Sequence, residues 1–347
     1  MQRNLLQLSR HVYDVLIVGG GIYGVLVAWD AALRGLSVAL VEQGDFGHAT
    51  SANTLRIIHG GLRYLQYGDI RRVRRSLYER RVLMRIAPHL VHPLPFLIPT
   101  YGQWRRGKAA FTLGLRLHNL LRLDSPRQAD LKALPPGRII SRQVCLRLVP
   151  GIEDSGLTGG AIFYDGQMSH SERFVLAAAQ SAAQAGAELA NYVAVTGLIT
   201  EKVRVIGATV RDVLTGDAWD VRARLVINTS GPWLGRLLYS LPGHPHERQL
   251  RFSKAFNLLV NRQLIPQYAV GVYRCDKRHG TDREALLPRG SRLFFITPYH
   301  GRSLIGTAHL PYDADPDGFK VTDWEVQAFL DEINAAYPAA ALKPQEV

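Results

Sequence analysis

The sequence predicts a mixed α/β protein in which a Rossmann-type nucleotide-binding unit is interleaved with a second domain built on an antiparallel sheet. Three observations predict it. Residues 13–42, YDVLIVGGGIYGVLVAWDAALRGLSVALVE, read in order as strand, glycine cluster, helix and strand. Residues 251–308 hold the strand-like runs FNLLV, RLFFITP and SLIGTA, a spacing typical of antiparallel sheets. The chain, 347 residues of which 47% are hydrophobic, exceeds what one compact unit needs.

The first strand is the β-branched run at 15–18, and the helix extends to about residue 34, where Gly35 stops it. A second apolar strand covers 37–41. Between strand and helix, Gly19, Gly21 and Gly24 form GxGxxG, and Glu42 ends the second strand. Alone the glycines are a weak sign, but in this order, with a terminal acid, they form a dinucleotide-binding fingerprint. Gly19 permits the tight turn, Gly21 lets backbone approach a pyrophosphate, and Gly24 lets helix and strand pack closely, while the helix N-terminus presents unpaired N–H groups to the anion. Glu42 is placed to accept the ribose hydroxyls, and its charge disfavours a 2′-phosphate, so NADP is not expected. A Rossmann-like unit with no nucleotide would leave Glu42 unexplained.

Residues 69–87 predict a surface helix with Asp69 as N-cap, Ile70, Val73, Leu77 and Met84 on one face and arginines elsewhere. The tract 93–140 reads as irregular and proline-rich, with a basic amphipathic piece at 104–123. There Trp104, Phe111, Leu115 and Leu120 alternate with Arg105, Arg106, Lys108, Arg116 and Arg122. Such a helix suits either a lipid surface or packing on the second domain. A helix at 171–185 precedes a strand, ELANYVAV. ARLVINTSGPW at 223–233 is a β-run ending in small residues that bring backbone close to a ligand, and 324–337 is an amphipathic helix.

Composition narrows the function. The net charge of +13 permits anionic partners, and 35 Arg against 7 Lys fit either genomic base composition or selection for phosphate binding. Cys145 and Cys275 stand far apart without CxxC or Cys/His clustering, so neither a disulfide framework nor a metal site is expected, and a reducing compartment fits. The first dozen residues are too polar for a signal peptide, and no apolar run spans a bilayer, which predicts a soluble or peripheral protein.

One stretch is more restrictive. IIHGGLRYL, at 57–65, mixes β-branched residues, a histidine, a glycine pair, an arginine and a tyrosine. By itself it reads equally as an ordinary loop, with the glycines turning, Leu62 and Leu65 packing and Arg63 in water. Together with YDVLIVGGGIYG, ATSANTLRIIHGGLRYL, RRVLMRIAPHLVHPLPFLIP, ARLVINTSGPW and RSLIGTA, in that order and spacing, it makes the chain resemble the FAD-dependent glycerol-3-phosphate dehydrogenases, within the wider group of flavin amine and hydroxyacid oxidoreductases.

That resemblance implies a glutathione-reductase-like FAD domain (11–90 with 150–235), a substrate domain (91–149 with 236–320), and a helix leading back to the FAD domain (321–347). It implies FAD held by Gly19, Gly21, Gly24, Glu42, Thr50 and Ser51, with Val193 lining the adenine side and Ser230 and Gly231 at a second turn. His59 would lie near the flavin, Arg63 and Tyr64 would face the substrate, and Lys254 matches a family lysine. The implied reaction oxidises sn-glycerol 3-phosphate to dihydroxyacetone phosphate by hydride transfer to flavin N5. Electrons would pass to quinone at the inner face of the cytoplasmic membrane, from a cytoplasmic or peripheral protein. A small phosphorylated alcohol is then the partner, a homodimer is compatible, and nucleic acid is not expected.

Three departures bear on this. The family pattern continues into a strand and an S/T-G-x-R-P turn, whereas this chain stops at KPQEV, which predicts an incomplete site. Asn257 stands where a histidine is frequent, and IGTTD appears as IGTAH, with Ala308 and His309. Two alternatives therefore stand beside the first reading: an oxidase or dehydrogenase of an amine or 2-hydroxy acid on the same scaffold, and an inactive flavin-binding scaffold.

Overall fold

A computed structural model describes residues 1, 3–102, 107–123, 134–241, 251–275 and 291–347. The expected apolar and basic residues Trp104, Arg105 and Arg106 lie outside the described residues, as does the Arg122 side chain. In chain order the first half holds α1 (Leu5–Leu8), β1 (Val12–Val18), α2 (Ile22–Leu33), β2 (Val38–Val41), β3 (Ile57–Ile58), α3 (Ile70–Ile86), β4 (Val91–Tyr101), α4 (Lys108–Leu123), β5 (Arg138–Ser141), α5 (Arg142–Leu148) and β6 (Leu157–Met168). The second half holds α6 (Ser171–Gln184), β7 (Glu188–Ala190), β8 (Val193–Glu201), β9 (Arg204–Asp212), β10 (Ala218–Asn228), α7 (Leu234–Tyr239), β11 (Phe252–Val260), β12 (Ala269–Cys275), β13 (Ser291–Tyr299), β14 (Arg302–Tyr312) and α8 (Asp323–Ala336).

The chain divides into two compact units. Unit 1 comprises Met1–Thr54, His170–Lys254 and Pro311–Phe319, and unit 2 comprises Leu55–Ser169, Ala255–Leu310 and Lys320–Val347. These differ from the boundaries drawn on the sequence. Residues 55–90 and 150–169, expected with the nucleotide domain, lie in unit 2, and so does α8, expected to lead back to that domain. The reason is burial: Phe329, Leu330 and Ile333 of α8 share a core cluster with Phe256 and Phe294, and Phe329 meets both rings edge-on.

Unit 1 is built on a six-stranded sheet in the order β7-β2-β1-β10-β9-β8. β7, β2, β1 and β10 run parallel, and β8 and β9 add an antiparallel extension. β1 is buried along nearly its whole length, as a parallel strand covered on both faces must be. Leu16, Ile17 and Leu40 are fully buried, each contributing about 1.5–3 kcal/mol. On one face of the sheet, Val25, Ala28, Ala31 and Ala32 of α2 join Val175, Ala178, Ala179 and Ala182 of α6 in a core rich in small residues. The predicted single strand ELANYVAV is two strands, broken where Tyr192 adopts φ +55°.

Unit 2 carries an eight-stranded sheet, ordered β11-β14-β13-β12-β4-β6-β3 with β5 on β6. The tract expected to be irregular contains β4, which pairs antiparallel with β6 from Val91↔Met168 to Tyr101↔Leu157. Pro93, Pro95 and Pro99 have one parity, so their missing donors all fall on one side of the strand, and the pairing with β6 runs past them to a register shift at Thr100/Tyr101. α3 forms with Asp69 as its cap, the carboxylate accepting from Arg72 N. Its buried residues are Val73, Leu77 and Arg80, while Ile70 is exposed and Met84 only half-buried, so a charged residue occupies the expected apolar stripe.

Candidate functional site

In unit 1 the glycine cluster is assembled by contacts that each need a missing side chain. A Cβ on Gly24 would lie 1.9 Å from the carbonyl oxygen of Gly19, and one on Gly19, whose φ is +108°, would lie 2.7 Å from that of Thr229. The two turns singled out in the sequence thus meet: Thr229 Oγ1 donates to the carbonyls of Val18 and Gly19, each at 2.9 Å, and the Thr229 N–H bonds Val18 O. Ser230 is held by Asn228, whose Oδ1 accepts from the Ser230 N–H at 3.1 Å and from Oγ at 2.6 Å. Gly231 has φ +58° and open space where a Cβ would stand.

Gly21 is the N-cap of α2 and offers no side chain to satisfy the first-turn amides. Ser51 Oγ accepts from Ile22 N at 2.9 Å and stands against Gly21, so it flanks the positive end of the helix where an anion is favoured. Thr50 is exposed beside it. Glu42 is 7% exposed and its two oxygens accept separately from Gly20 N at 2.6 Å and Gly44 N at 2.8 Å, leaving further lone pairs on each. His48 lies 3.7 Å from the same carboxylate. Val193 donates its N–H to Glu42 O at 2.8 Å, with its side chain buried in the adjoining core. Seven residues expected to hold a nucleotide, Gly19, Gly21, Gly24, Glu42, Ser51, Val193 and Ser230, therefore lie along one run of contacts around the N-terminus of α2. A carboxylate for ribose, a helix end whose N-cap residue has no side chain and glycines that a Cβ would fill fit a cofactor bearing ADP.

Lys254 also belongs to unit 1. It is buried, with its ammonium 5.8 Å from the ring centres of Tyr312 and Phe319. Neighbouring polar contacts tie that segment to the second turn: Trp233 Nε1 donates to Asp317 at 2.7 Å, and Arg236 Nη2 bridges Asp315 and Asp317 at 2.6 and 2.7 Å. Sequence reading passed over these carboxylates, because nothing in DADPDG distinguishes them from an acidic turn.

In unit 2 the stretch at 57–65 is a short strand, β3, paired with β6, then a turn at Gly60 and Gly61 and a single 3-10 helix, Leu62–Tyr67. Ile57 and Leu62 pack against the cluster of Leu94, Phe96 and Phe163, which anchors both ends of the turn. His59 is exposed and meets the Tyr64 ring edge-on at 5.6 Å, while the Arg72 guanidinium covers that ring at 4.1 Å. Arg63 is exposed and makes no hydrogen bond or ion pair with a described residue. Beneath the turn, Asp165 Oδ1 accepts from Gly60 N at 2.6 Å and pairs with Arg80, whose Nη1 also donates to Tyr164 O at 2.7 Å. Burial pushes the Asp165 carboxyl up, opposed by the Arg80 charge and the Gly60 N–H. Neither Arg80 nor Asp165 was distinguishable in the sequence. The available sign was Arg80 at the position seven after Val73, where the helical stripe wants an apolar side chain.

A family model described as FAD dependent oxidoreductase matches residues 14–346. The glycerol-3-phosphate dehydrogenase of Synechocystis sp. is 38% identical, across 99% of this chain and 61% of its own length. The alpha-glycerophosphate oxidase of Streptococcus pneumoniae is 31% identical, across 99% of this chain and 54% of its own. The chain thus spans a little over half the length of these curated relatives. Among solved structures, the glycerol-3-phosphate dehydrogenase from Bacillus halodurans complexed with FAD superposes with a TM-score of 0.72 at 25% identity, over 98% of this chain and 56% of that one. The L-alpha-glycerophosphate oxidase from Mycoplasma pneumoniae shares the fold, with a TM-score of 0.64 at 14% identity over 97% of this chain and 81% of that one. With its glycine cradle in place and the family model covering nearly its whole length, the chain belongs to the FAD-dependent oxidoreductase family.

Proposed function

We propose that this chain binds FAD and oxidises sn-glycerol 3-phosphate, or a closely related phosphorylated secondary alcohol, to dihydroxyacetone phosphate or the corresponding ketone. The observation that carries this reading is the unpaired, exposed guanidinium of Arg63 on the His59–Tyr64 turn, in a chain 31–38% identical to proteins named for oxidising glycerophosphate. FAD, when bound, supplies the hydride acceptor at N5. Gly19, Gly21, Gly24, Thr50, Ser51, Glu42, Val193, Ser230 and Gly231 are the residues that would hold it.

The rest is the work of side chains. Arg63 presents a planar fork that grips phosphate oxygens in pairs or stabilises an alkoxide as its proton leaves, which a neutral group does far less well. His59 carries the side chain suited to taking the C2 hydroxyl proton near neutral pH, and Tyr64 donates a hydroxyl for orientation. The family resemblance also assigns Lys254, in unit 1, to substrate binding.

Anaerobic addition of sn-glycerol 3-phosphate to the flavin-loaded, full-length protein is expected to bleach its visible absorbance. Bleaching by D-amino acids or 2-hydroxy acids in its place would overturn this reading in favour of the amine or hydroxy-acid alternative. A flavin-loaded, well-folded protein that none of these substrates bleaches would leave the inactive flavin-binding scaffold.

The finer reading sends the electrons to quinone at the inner face of the cytoplasmic membrane. No helix among the described residues is long and apolar enough to cross a membrane. α4 supports a peripheral contact, because Leu113 and Leu120 are 70% and 62% exposed while Lys108 and Arg116 are exposed on the same helix. Leu115 and Phe111 turn inward to the unit 2 core, so α4 both packs and presents an apolar face. Cosedimentation with anionic vesicles, lost on Leu113→Asp/Leu120→Asp, checks this; unchanged cosedimentation removes α4 from it.

A further inference from the structure

We propose that the buried Arg80–Asp165 pair is a positioning device for the His59–Gly61 turn, fixing where His59, Arg63 and Tyr64 are presented to the substrate. The inference rests on the proposed reading of that turn as the reactive loop.

Both charges are almost wholly withdrawn from water, at 3% and 4% exposure. A buried ion pair is no better for stability than well-packed apolar side chains of similar volume, so its presence on the apolar stripe of α3 asks for another role. The contacts supply one. A single oxygen, Asp165 Oδ1, holds both the Gly60 amide and the Arg80 guanidinium. The same Arg80 Nη1 is tied to Tyr164 O of β6, so turn, helix and strand meet at one point. Gly60 fits only because it lacks a side chain: a Cβ there would lie 2.2 Å from Arg80 Nη1 and 3.0 Å from Asp165 Oδ1. Gly61 follows with φ +80°, turning the chain immediately above the pair. Arg63 has no partner of its own among the described residues, so its direction is inherited from the backbone of this turn.

Three variants of the full chain test this: Asp165→Asn, the apolar double Arg80→Met/Asp165→Leu, and Gly60→Ala. The first readout is hydrogen exchange over residues 57–67 in flavin-stripped protein. Roughly tenfold faster exchange is expected there in both Asp165 variants, with the β4–β6 ladder unchanged. The second is anaerobic flavin reduction, expected to slow roughly a hundredfold in all three variants at saturating sn-glycerol 3-phosphate while the apparent Kd for substrate changes little. The double variant is the one chosen to keep the fold if the single charge removal does not. If it is folded and its 57–67 segment exchanges at the parental rate, or its flavin is reduced at the parental rate, the proposal is overturned; parental reduction by folded Gly60→Ala overturns it as well. Failure of the underlying functional reading looks different. The parent itself would not be bleached by sn-glycerol 3-phosphate, while exchange at 57–67 would still decide whether the pair holds the turn.

Discussion

Two glycine-bearing turns of this protein are held in different ways. The turn at Gly19–Gly21 in unit 1 is secured on one side by the Glu42 carboxylate, 22 residues on in the same βαβ unit, and on the other by Thr229, which reaches the Gly19 carbonyl from the second turn. The turn at Gly60–Gly61 in unit 2 is secured by a buried charge pair, one member of which lies 105 residues away. The first turn combines a repeatable glycine motif with one distant neutral contact, whereas the second is placed by a buried charge pair that forms only when α3 and β6 meet.

The largest effect that would sharpen this contrast is at Asp165. Asp165→Ala leaves the Arg80 guanidinium buried without its counter-charge and is expected to destabilise unit 2 by about 3–5 kcal/mol, read by urea unfolding. A loss below about 1 kcal/mol would mean that water reaches the pair and that the two turns are not held differently.

At the other turn, Gly24→Ala forces a Cβ onto Gly19 O and is expected to cost about 1–3 kcal/mol with loss of bound flavin. Retained yellow colour and stability would break the steric account of the glycine motif. Arg63→Ala provides the complementary test, because it removes no described contact. Unfolding should be unchanged while kcat/KM falls about 10²–10³-fold, equivalent to about 3–4 kcal/mol of transition-state stabilisation. Glu42→Gln should weaken unit 1 by about 1.5–3 kcal/mol, since an amide cannot accept from both Gly20 N and Gly44 N, and the FAD content on purification should fall with it.

The smallest effect concerns acid. The Arg3 guanidinium, with the Leu214 N–H, holds the Asp212 carboxyl below its usual range, and the Ser37 N–H does the same for Asp14. A carboxyl depressed in the folded state stabilises it above the ordinary carboxylate pKa of about 4, and that contribution is lost as pH falls through the lowered value. Arg3→Ala should therefore move the acid-unfolding midpoint of unit 1 to higher pH, followed by far-UV circular dichroism; an unmoved midpoint would detach Arg3 from stability. At Asp165 burial acts in the opposite direction, raising the carboxyl.

The sequence by itself determined the βαβ unit, the GxGxxG turn, the acid at its second strand and the helix capped by Asp69. Each of these is written in consecutive residues, through hydrophobic periodicity, a glycine where φ is positive, or a side chain capping its own helix. Glu42 was legible from the fingerprint's spacing, whereas Ser51 and Ser230 were expected only from the family resemblance. The tertiary structure decided what local patterns cannot encode. The prolines of 93–99 read as an interruption and are a strand, since only the partner β6 shows that their absent donors fall on one side. α8 read as a return to the nucleotide domain and lies in unit 2, because the destination of an amphipathic face depends on Phe256 and Phe294 rather than on its own period. Arg80 read as one arginine among many. Its burial against Asp165 exists only once α3 and β6 are brought together, and the energy of a buried charge belongs to that meeting, not to either residue alone.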